Sequence, residues 1–338
     1  MIYRQERQGR QDRQGRQFKL LFLGALGVLG VLGGWNFARA DSTITVAADG
    51  SGQFKTVQSA VESVPAGNKA RIVIQIKPGT YKERIIVPKN KPMITFRGED
   101  AAKTILTWDW SANTEVDGKK VGTSGSCSTL ISAPDFTAEK ITFENSAGDV
   151  GQAVALKFNS DRGIFRDCRF LGWQDTLYIH DRRAYFKDCY IEGRVDFIFG
   201  KSTAVFDRCT IQSKNGGYIT AAATPKDVPF GFVFLNCKLT GEGASALLGR
   251  PWRADAAVAF LHCDLGPHIK PEGWQHWNDQ IDPQETARFS EYQSTGPGAK
   301  PAARVKWSHQ LSDAEAKKYT IENILAGDDH WNPVTSPP

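Results

Sequence analysis

The chain has 338 residues, 23% of them charged and 11% aromatic, which excludes a disordered main body and permits a large buried core. Its net charge of +5 is confined to residues 1–40, where Arg4, Arg7, Arg10, Arg13, Arg16, Lys19 and Arg39 outnumber Glu6 and Asp12. Subtracting those residues leaves 35 basic and 35 acidic side chains, so nothing argues for a nucleic-acid partner.

An Arg/Gln/Gly tract over residues 4–17 precedes an apolar run from Leu20 to Leu32 and then Ala38-Arg39-Ala40. A positive segment, an apolar segment and an A-x-A site predict a signal peptide over residues 1–40, cleaved after Ala40. The mature chain, residues 41–338, is then exported, either secreted or periplasmic, without stable membrane association. The alternative is an uncleaved anchor, since Leu20 to Phe37 spans 18 residues, near the lower limit for a membrane helix. Five glycines in that run and the small-residue site favour cleavage.

After the leader, Thr43-Ile44-Thr45-Val46 alternates as a strand. Asp49-Gly50-Ser51-Gly52 is a turn. Phe54, Val57, Ala60, Val61 and Val64 recur at helical intervals, predicting a short helix placed to cap the open end of a sheet. Arg71 to Ile76, Ile85 to Val87 and Met93 to Gly98 read as strands, with a turn at Pro78 to Glu83. From Lys140 onward one unit repeats: Ile141-Thr142-Phe143, Cys168-Arg169-Phe170, Cys189-Tyr190-Ile191, Cys209-Thr210-Ile211, Cys237-Lys238-Leu239 and Cys263-Asp264-Leu265. The spacings are 27, 21, 20, 28 and 26 residues. Short strands at such intervals, with no long helices between them, predict an all-β stack of coils, a parallel β-helix. Five of the six cysteines then share one phase as an internal ladder of mostly free, buried thiols. Disulfides between adjacent rungs are the alternative. No Cys-x-x-Cys pair occurs, so no metal site is expected. Ser312-Asp313-Ala314-Glu315 has capping-box form and starts a helix through Tyr319, within a C-terminal tail packed along the outside of the stack.

The chemistry concentrates between Cys168 and Gly200. Asp175 and Asp196 each follow a repeat cysteine by seven residues and lie 21 apart. Equal offsets on adjacent coils set two carboxylates about 4.7–4.9 Å apart, where like charges raise one pKa. Gln152, Gln174 and Arg250 fall where the stack brings them to the same face. Each has a bland reading: a loop glutamine, a surface arginine, or an aspartate in Val195-Asp196-Phe197-Ile198-Phe199-Gly200 that needs a partner. Paired carboxylates also serve glycosidases, but carboxamide donors suit an oxyanion and an acetal carbon has no use for them. A lyase wants a calcium site, for which no acidic ladder is visible. A binding module has no reason to pair the aspartates.

Gly79-Thr80-Tyr81-Lys82-Glu83, Gly151-Gln152-Ala153-Val154, Gly172-Trp173-Gln174-Asp175-Thr176-Leu177-Tyr178, Gly193-Arg194-Val195-Asp196-Phe197-Ile198-Phe199-Gly200 and Leu248-Gly249-Arg250-Pro251-Trp252 resemble, in order, the signature segments of the pectin methylesterases. Phe289-Ser290-Glu291-Tyr292 through Gly296-Pro297-Gly298-Ala299 fits as well, so the resemblance spans about residues 43 to 333. It implies a right-handed parallel β-helix that hydrolyses methyl-esterified galacturonate in pectin (homogalacturonan) as a monomer, without cofactor or metal. It implies Asp196 as nucleophile, Arg250 keeping Asp196 ionised and oriented, and Asp175 as proton donor and acceptor. Gln152 and Gln174 become the oxyanion donors, and Thr123 and Trp252 join Gln152 and Arg250 as substrate contacts. A pectin-directed glycosidase or lyase on the same scaffold is the alternative.

Overall fold

A computed structural model describes residues 42–277 and 285–335. The predicted leader and its cleavage site lie outside the described residues. Three rows of parallel strands stack into a β-helix. The first row holds eleven strands, from Ser42–Val46 to His309–Gln310. The second row begins with Gly79–Lys82, Thr104–Trp108, Thr142–Asn145 and Arg169–Leu171. The third begins with Ile85–Val87, Thr129–Ile131, Leu156–Asn159 and Leu177–Asp181. Two long strands, Tyr190–Gly200 and Thr210–Ala222, then run through the corner and pair with both the second and the third row.

The repeat maps onto one corner of each coil. Lys140, Asp167, Asp188, Arg208, Asn236 and His262 precede the repeated small apolar residue, and their φ angles lie between 52° and 54°. These left-handed residues turn the chain from the first row into the second, and the next side chain points into the core. That side chain is Ile141 or a cysteine, and all six are at most 2% exposed. The cysteines are free and buried. Their thiols step up the stack, Cys189 Sγ donating to Phe165 O and Cys237 Sγ to Phe206 O at 3.5 and 3.2 Å. Beside them Phe165, Phe186, Phe206, Phe234 and Phe260 stack face to face at 4.7, 4.8, 4.5 and 4.3 Å. These separations match the rung spacing of a sheet, so the ladder packs at no cost in strand geometry.

Both ends of the stack are closed. At the first, the helix spans Val57–Ser63 rather than starting at Phe54, because Thr56 caps it through the Ser59 amide and Phe54 bridges to Val46 instead. Glu83 accepts from the Val57 and Gln58 amides at 2.8 and 3.0 Å, so the Gly79 to Glu83 motif serves to seat the cap. At the other end Glu291 follows Phe260 in register. Arg304 binds it with Nε–Oε1 at 2.7 Å and Nη2–Oε2 at 3.0 Å, and donates further to the carbonyls of Lys270, Pro271 and Gly298. The capping box at Ser312 is present, but its helix covers only Asp313–Ala316, and a second helix follows at Ile321–Leu325. This tail packs Leu311, Tyr319, Ile324, Leu325 and Trp331 on the outer face of the first row, against Tyr185, Val205 and Leu261.

Candidate active site

The third row presents one outward column, Leu130, Lys157, Tyr178, Phe199, Ala221 and Arg250, each in register with the next. Tyr178, Phe199 and Ala221 form an apolar cluster separate from the interior, flanked by Trp252 and Trp277. A cavity of about 310 Å³ opens over it, and Thr123, Gln152, Gln174, Asp175, Asp196, Arg250 and Trp252 all line its walls. The structure thus brings together every site residue singled out from the sequence.

Both aspartates sit where the ladder is interrupted. Register shifts flank Val195 in the long strand, and Asp175 and Asp196 have φ of 64° and 51°. In that left-handed region their side chains leave the strand alternation and turn into the cavity, 8% and 5% exposed. The Asp175 amide donates to Val195 O at 3.0 Å, which fixes the two coils against each other. Gly193 is required for this close approach, because a Cβ there would lie 2.2 Å from that of Phe197.

Arg250 enters from two coils further on. Its Nε lies 2.9 Å from Asp196 Oδ1 and its Nη2 2.6 Å from Oδ2. The guanidinium carbon is 4.1 Å from the Tyr218 ring and 4.2 Å from the Trp277 ring. Gly249 lets the strand carrying it approach Thr220, whose Oγ1 would be 1.9 Å from an added Cβ.

Burial, then the charge of Asp196, pushes Asp175 well above the usual carboxylate range, and Arg250 only partly opposes this. Asp196 is also raised by burial, against the two hydrogen bonds and the charge of Arg250. Arg250 thus favours the ionised form of Asp196 against the effect of burial. Desolvation lifts both groups, and the arginine leaves Asp196 the more acidic of the pair. Asp175, which lacks that two-point grip, is the group these environments favour for holding a shared proton.

Gln152 and Gln174 are bridged on adjacent coils. Thr123 lies on the short helix Gly122–Gly125, inside an insertion that also carries the hairpin Glu115–Val116 and Lys119–Lys120. Asn145 pins both ends of this insertion, its amide donating to the carbonyls of Trp110 and Ser126 and also of Val154. Sequence reasoning missed Ser124, Tyr178, Phe199, Ala221 and Trp277 as cavity residues. The register itself is the signal that finds three of them: Tyr178, Phe199 and Ala221 occupy the column that ends in Arg250.

A parallel β-helix with two adjacent buried carboxylates, one clamped by an arginine, at the bottom of an aromatic-walled cleft defines a hydrolase built on a coil scaffold. The chain belongs to the pectinesterase family, whose model matches residues 43–328 and whose members de-esterify pectin. It is 45% identical over 293 residues to pectinesterase 31 of Arabidopsis thaliana, covering 83% of this chain and 92% of that one. A pectin methylesterase from carrot superposes with a TM-score of 0.82 at 34% identity, covering 88% of this chain and 97% of its own. A pectin methylesterase in complex with a hexasaccharide superposes with a TM-score of 0.75 at 33% identity, over 87% and 98%. The fold is accordingly the family's right-handed parallel β-helix.

Proposed function

We propose that this protein, exported after cleavage behind Ala40, removes methyl groups from esterified galacturonate in pectin by way of an Asp196 acyl-enzyme. The observation that carries the reading is the bidentate Arg250–Asp196 pair beside the more strongly shifted Asp175. An ionised Asp196 oxygen attacks the ester carbonyl carbon. The charge that develops on the carbonyl oxygen is met by the carboxamide N–H groups of Gln152 and Gln174, each worth about 3–4 kcal/mol in comparable acyl-transfer sites. Collapse breaks the bond to the methoxy oxygen, which takes the Asp175 proton and leaves as methanol. Asp175, now a carboxylate, takes a proton from water as that water attacks the substrate carbonyl of the anhydride. The bond to Asp196 breaks, releasing the free galacturonate, and both aspartates return to their starting states. Trp252 offers a flat apolar wall to the sugar ring, and Thr123 adds a hydroxyl to the lining of the same cavity. One chain supplies every group in this sequence of steps, which supports a monomer as the working unit.

The test is methanol release from highly methylated pectin by the purified protein and by Asp196→Asn. Asparagine tolerates the left-handed backbone at this position, so the variant isolates the chemistry. The expected result is methanol from the wild type and a loss of at least about 10³-fold in the variant. Shortened or unsaturated chains without methanol would transfer the carboxylate pair to glycosidic-bond cleavage.

A further inference from the structure

The reach of Arg250 to Asp196 depends on a residue that the reaction steps do not use. In the strand carrying Asp196, Val195 pairs with Tyr218 and Ile198 with Thr220. Asp196 and Phe197 therefore stand opposite the single residue Ile219, a bulge that swings Asp196 out of the ladder. On the facing strand Gly216 and Gly217 have φ of 85° and 86°, and a Cβ on Gly217 would lie 2.1 Å from Arg194 O. These glycines let the strand close on the bulge and deliver Tyr218 beside it, on the coil between Asp196 and Arg250.

Tyr218 is tied down at its far end. Its hydroxyl donates to Gln275 Oε1 at 3.0 Å, and the Gln275 main-chain amide donates to Gly249 O at 3.2 Å. Gly249 precedes Arg250, so main chain, carboxamide, phenol and guanidinium form one closed brace, with the guanidinium carbon 4.1 Å from the Tyr218 ring. Trp277 flanks the same guanidinium at 4.2 Å. Trp277 lines the catalytic cavity, whereas Tyr218 does not. A half-buried phenol with a single neutral hydrogen bond adds little to folding, yet its ring restricts a side chain that otherwise keeps much rotamer freedom.

We propose that Tyr218, braced by Gln275, is a positioning residue of the reaction: its ring fixes the Arg250 guanidinium where Nε and Nη2 reach both oxygens of Asp196. The inference rests on the esterase reading above and adds to it the group that holds the arginine in place. A ring face beneath a guanidinium corresponds to about tenfold in the population of one pose.

Two readouts test it on the full chain: methanol release across pH, referred to the folded fraction, and the titration of the Asp196 carboxyl carbon by NMR, assigned with Asp196→Asn. The charged side chains lining the cavity are Asp175, Asp196 and Arg250, so a displaced arginine registers on the aspartates. Tyr218→Leu should lower kcat about tenfold, leave KM for esterified pectin within about twofold, and move both the acidic limb and the Asp196 titration to higher pH. Tyr218→Phe keeps the ring and should retain roughly a third or more of kcat. Gln275→Ala should match it, and the double variant Tyr218→Phe/Gln275→Ala should be no worse than either, because all three remove the same bond. An unchanged kcat and Asp196 titration in Tyr218→Leu overturn the proposal. So does a raised KM with kcat kept, which makes Tyr218 a substrate contact, and so do additive losses in the double variant, which break the brace into unrelated parts. If no protein releases methanol but the Asp196 titration still moves in Tyr218→Leu, the positioning role stands and the esterase reading falls.

Discussion

Arg250 acts on Asp196 from a distance of two coils, and this shapes what the residue contributes. Phe199, on the coil of Asp196, is in register with Ala221, which is in register with Arg250. The guanidinium spans the intervening coil by lying over the Tyr218 ring, itself held by a 3.0 Å hydrogen bond to Gln275. Cation–ring contact and a two-point grip on the carboxylate suit a planar guanidinium and not an ammonium. Since Arg250 lowers the pKa of Asp196 against the effect of burial, its removal must raise that pKa. In Arg250→Met the acidic limb of kcat/KM against pH therefore moves to higher pH, and kcat falls by about 10²–10³. Arg250→Lys recovers little of either. An acidic limb that stays in place would mean that Asp196 is not the group ionising there. Asp175 gives a prediction of opposite sign for stability. Its folded pKa is raised, so its contribution is full below the unfolded value and is lost as pH rises through the folded one. Above that pH the ionised carboxylate costs the fold, first through burial and then through Asp196. Asp175→Asn should melt a few degrees higher than wild type at pH 8, with the gap closing towards pH 4, while losing activity. Calorimetric scans across that range check it.

Among the elements, the phenylalanine ladder is where packing is most tightly specified. Phe206 is fully buried and stacks on Phe186 and Phe234 at 4.8 and 4.5 Å. Phe206→Ala opens a void that neighbours held in a hydrogen-bonded row cannot fill, and should cost about 3–5 kcal/mol in urea unfolding. A loss below about 1 kcal/mol would mean that the rungs collapse independently. The same regularity explains what the sequence made legible. The repeated cysteine unit marks a corner where a left-handed residue precedes an inward side chain, and a corner is short enough to leave a local pattern. Asp175 and Asp196 were visible because each keeps a fixed offset from that corner. The cleft floor was not. In Leu177-Tyr178-Ile179 and Ile198-Phe199-Gly200 the outward residue is as apolar as its inward neighbours, so the two-residue alternation that separates core from surface disappears. The long strands were hidden for a related reason, since irregular register around Val195 lets one strand continue through a corner. The cap helix was displaced by three residues because Thr56 terminates it more strongly than the Phe54 periodicity extends it. Trp277 gave no signal because its place depends on the chain's return after the last full coil.

At the scale of the whole molecule, a stack of coils depends on its ends. Each coil is held by its neighbours, so a solenoid frays from whichever end is less well closed. The C-terminal closure is the buried Arg304–Glu291 pair, with side chains 2% and 4% exposed. Arg304 also donates to the carbonyls of Lys270 and Pro271. That segment leads into Trp274, which bridges to Gly249 and packs on Phe260 and Phe289. Gly249 adjoins Arg250, and Trp277 covers the Arg250 guanidinium. The closure and the active site therefore share one short run of chain. Arg304→Met leaves Glu291 buried without its partner, which costs about 3–5 kcal/mol. This loss should fall on the last coils first. Activity in Arg304→Met should then disappear on heating several degrees before the far-UV signal of the stack, as Trp277 and Arg250 release Asp196. The double variant Glu291→Leu/Arg304→Met, which removes both charges, should bring the two transitions back together, because an apolar pair of similar volume closes the end without a stranded carboxylate. Coincident loss of activity and strand signal in the single variant would mean that the coils melt as one unit and that the end exerts no local control over the site.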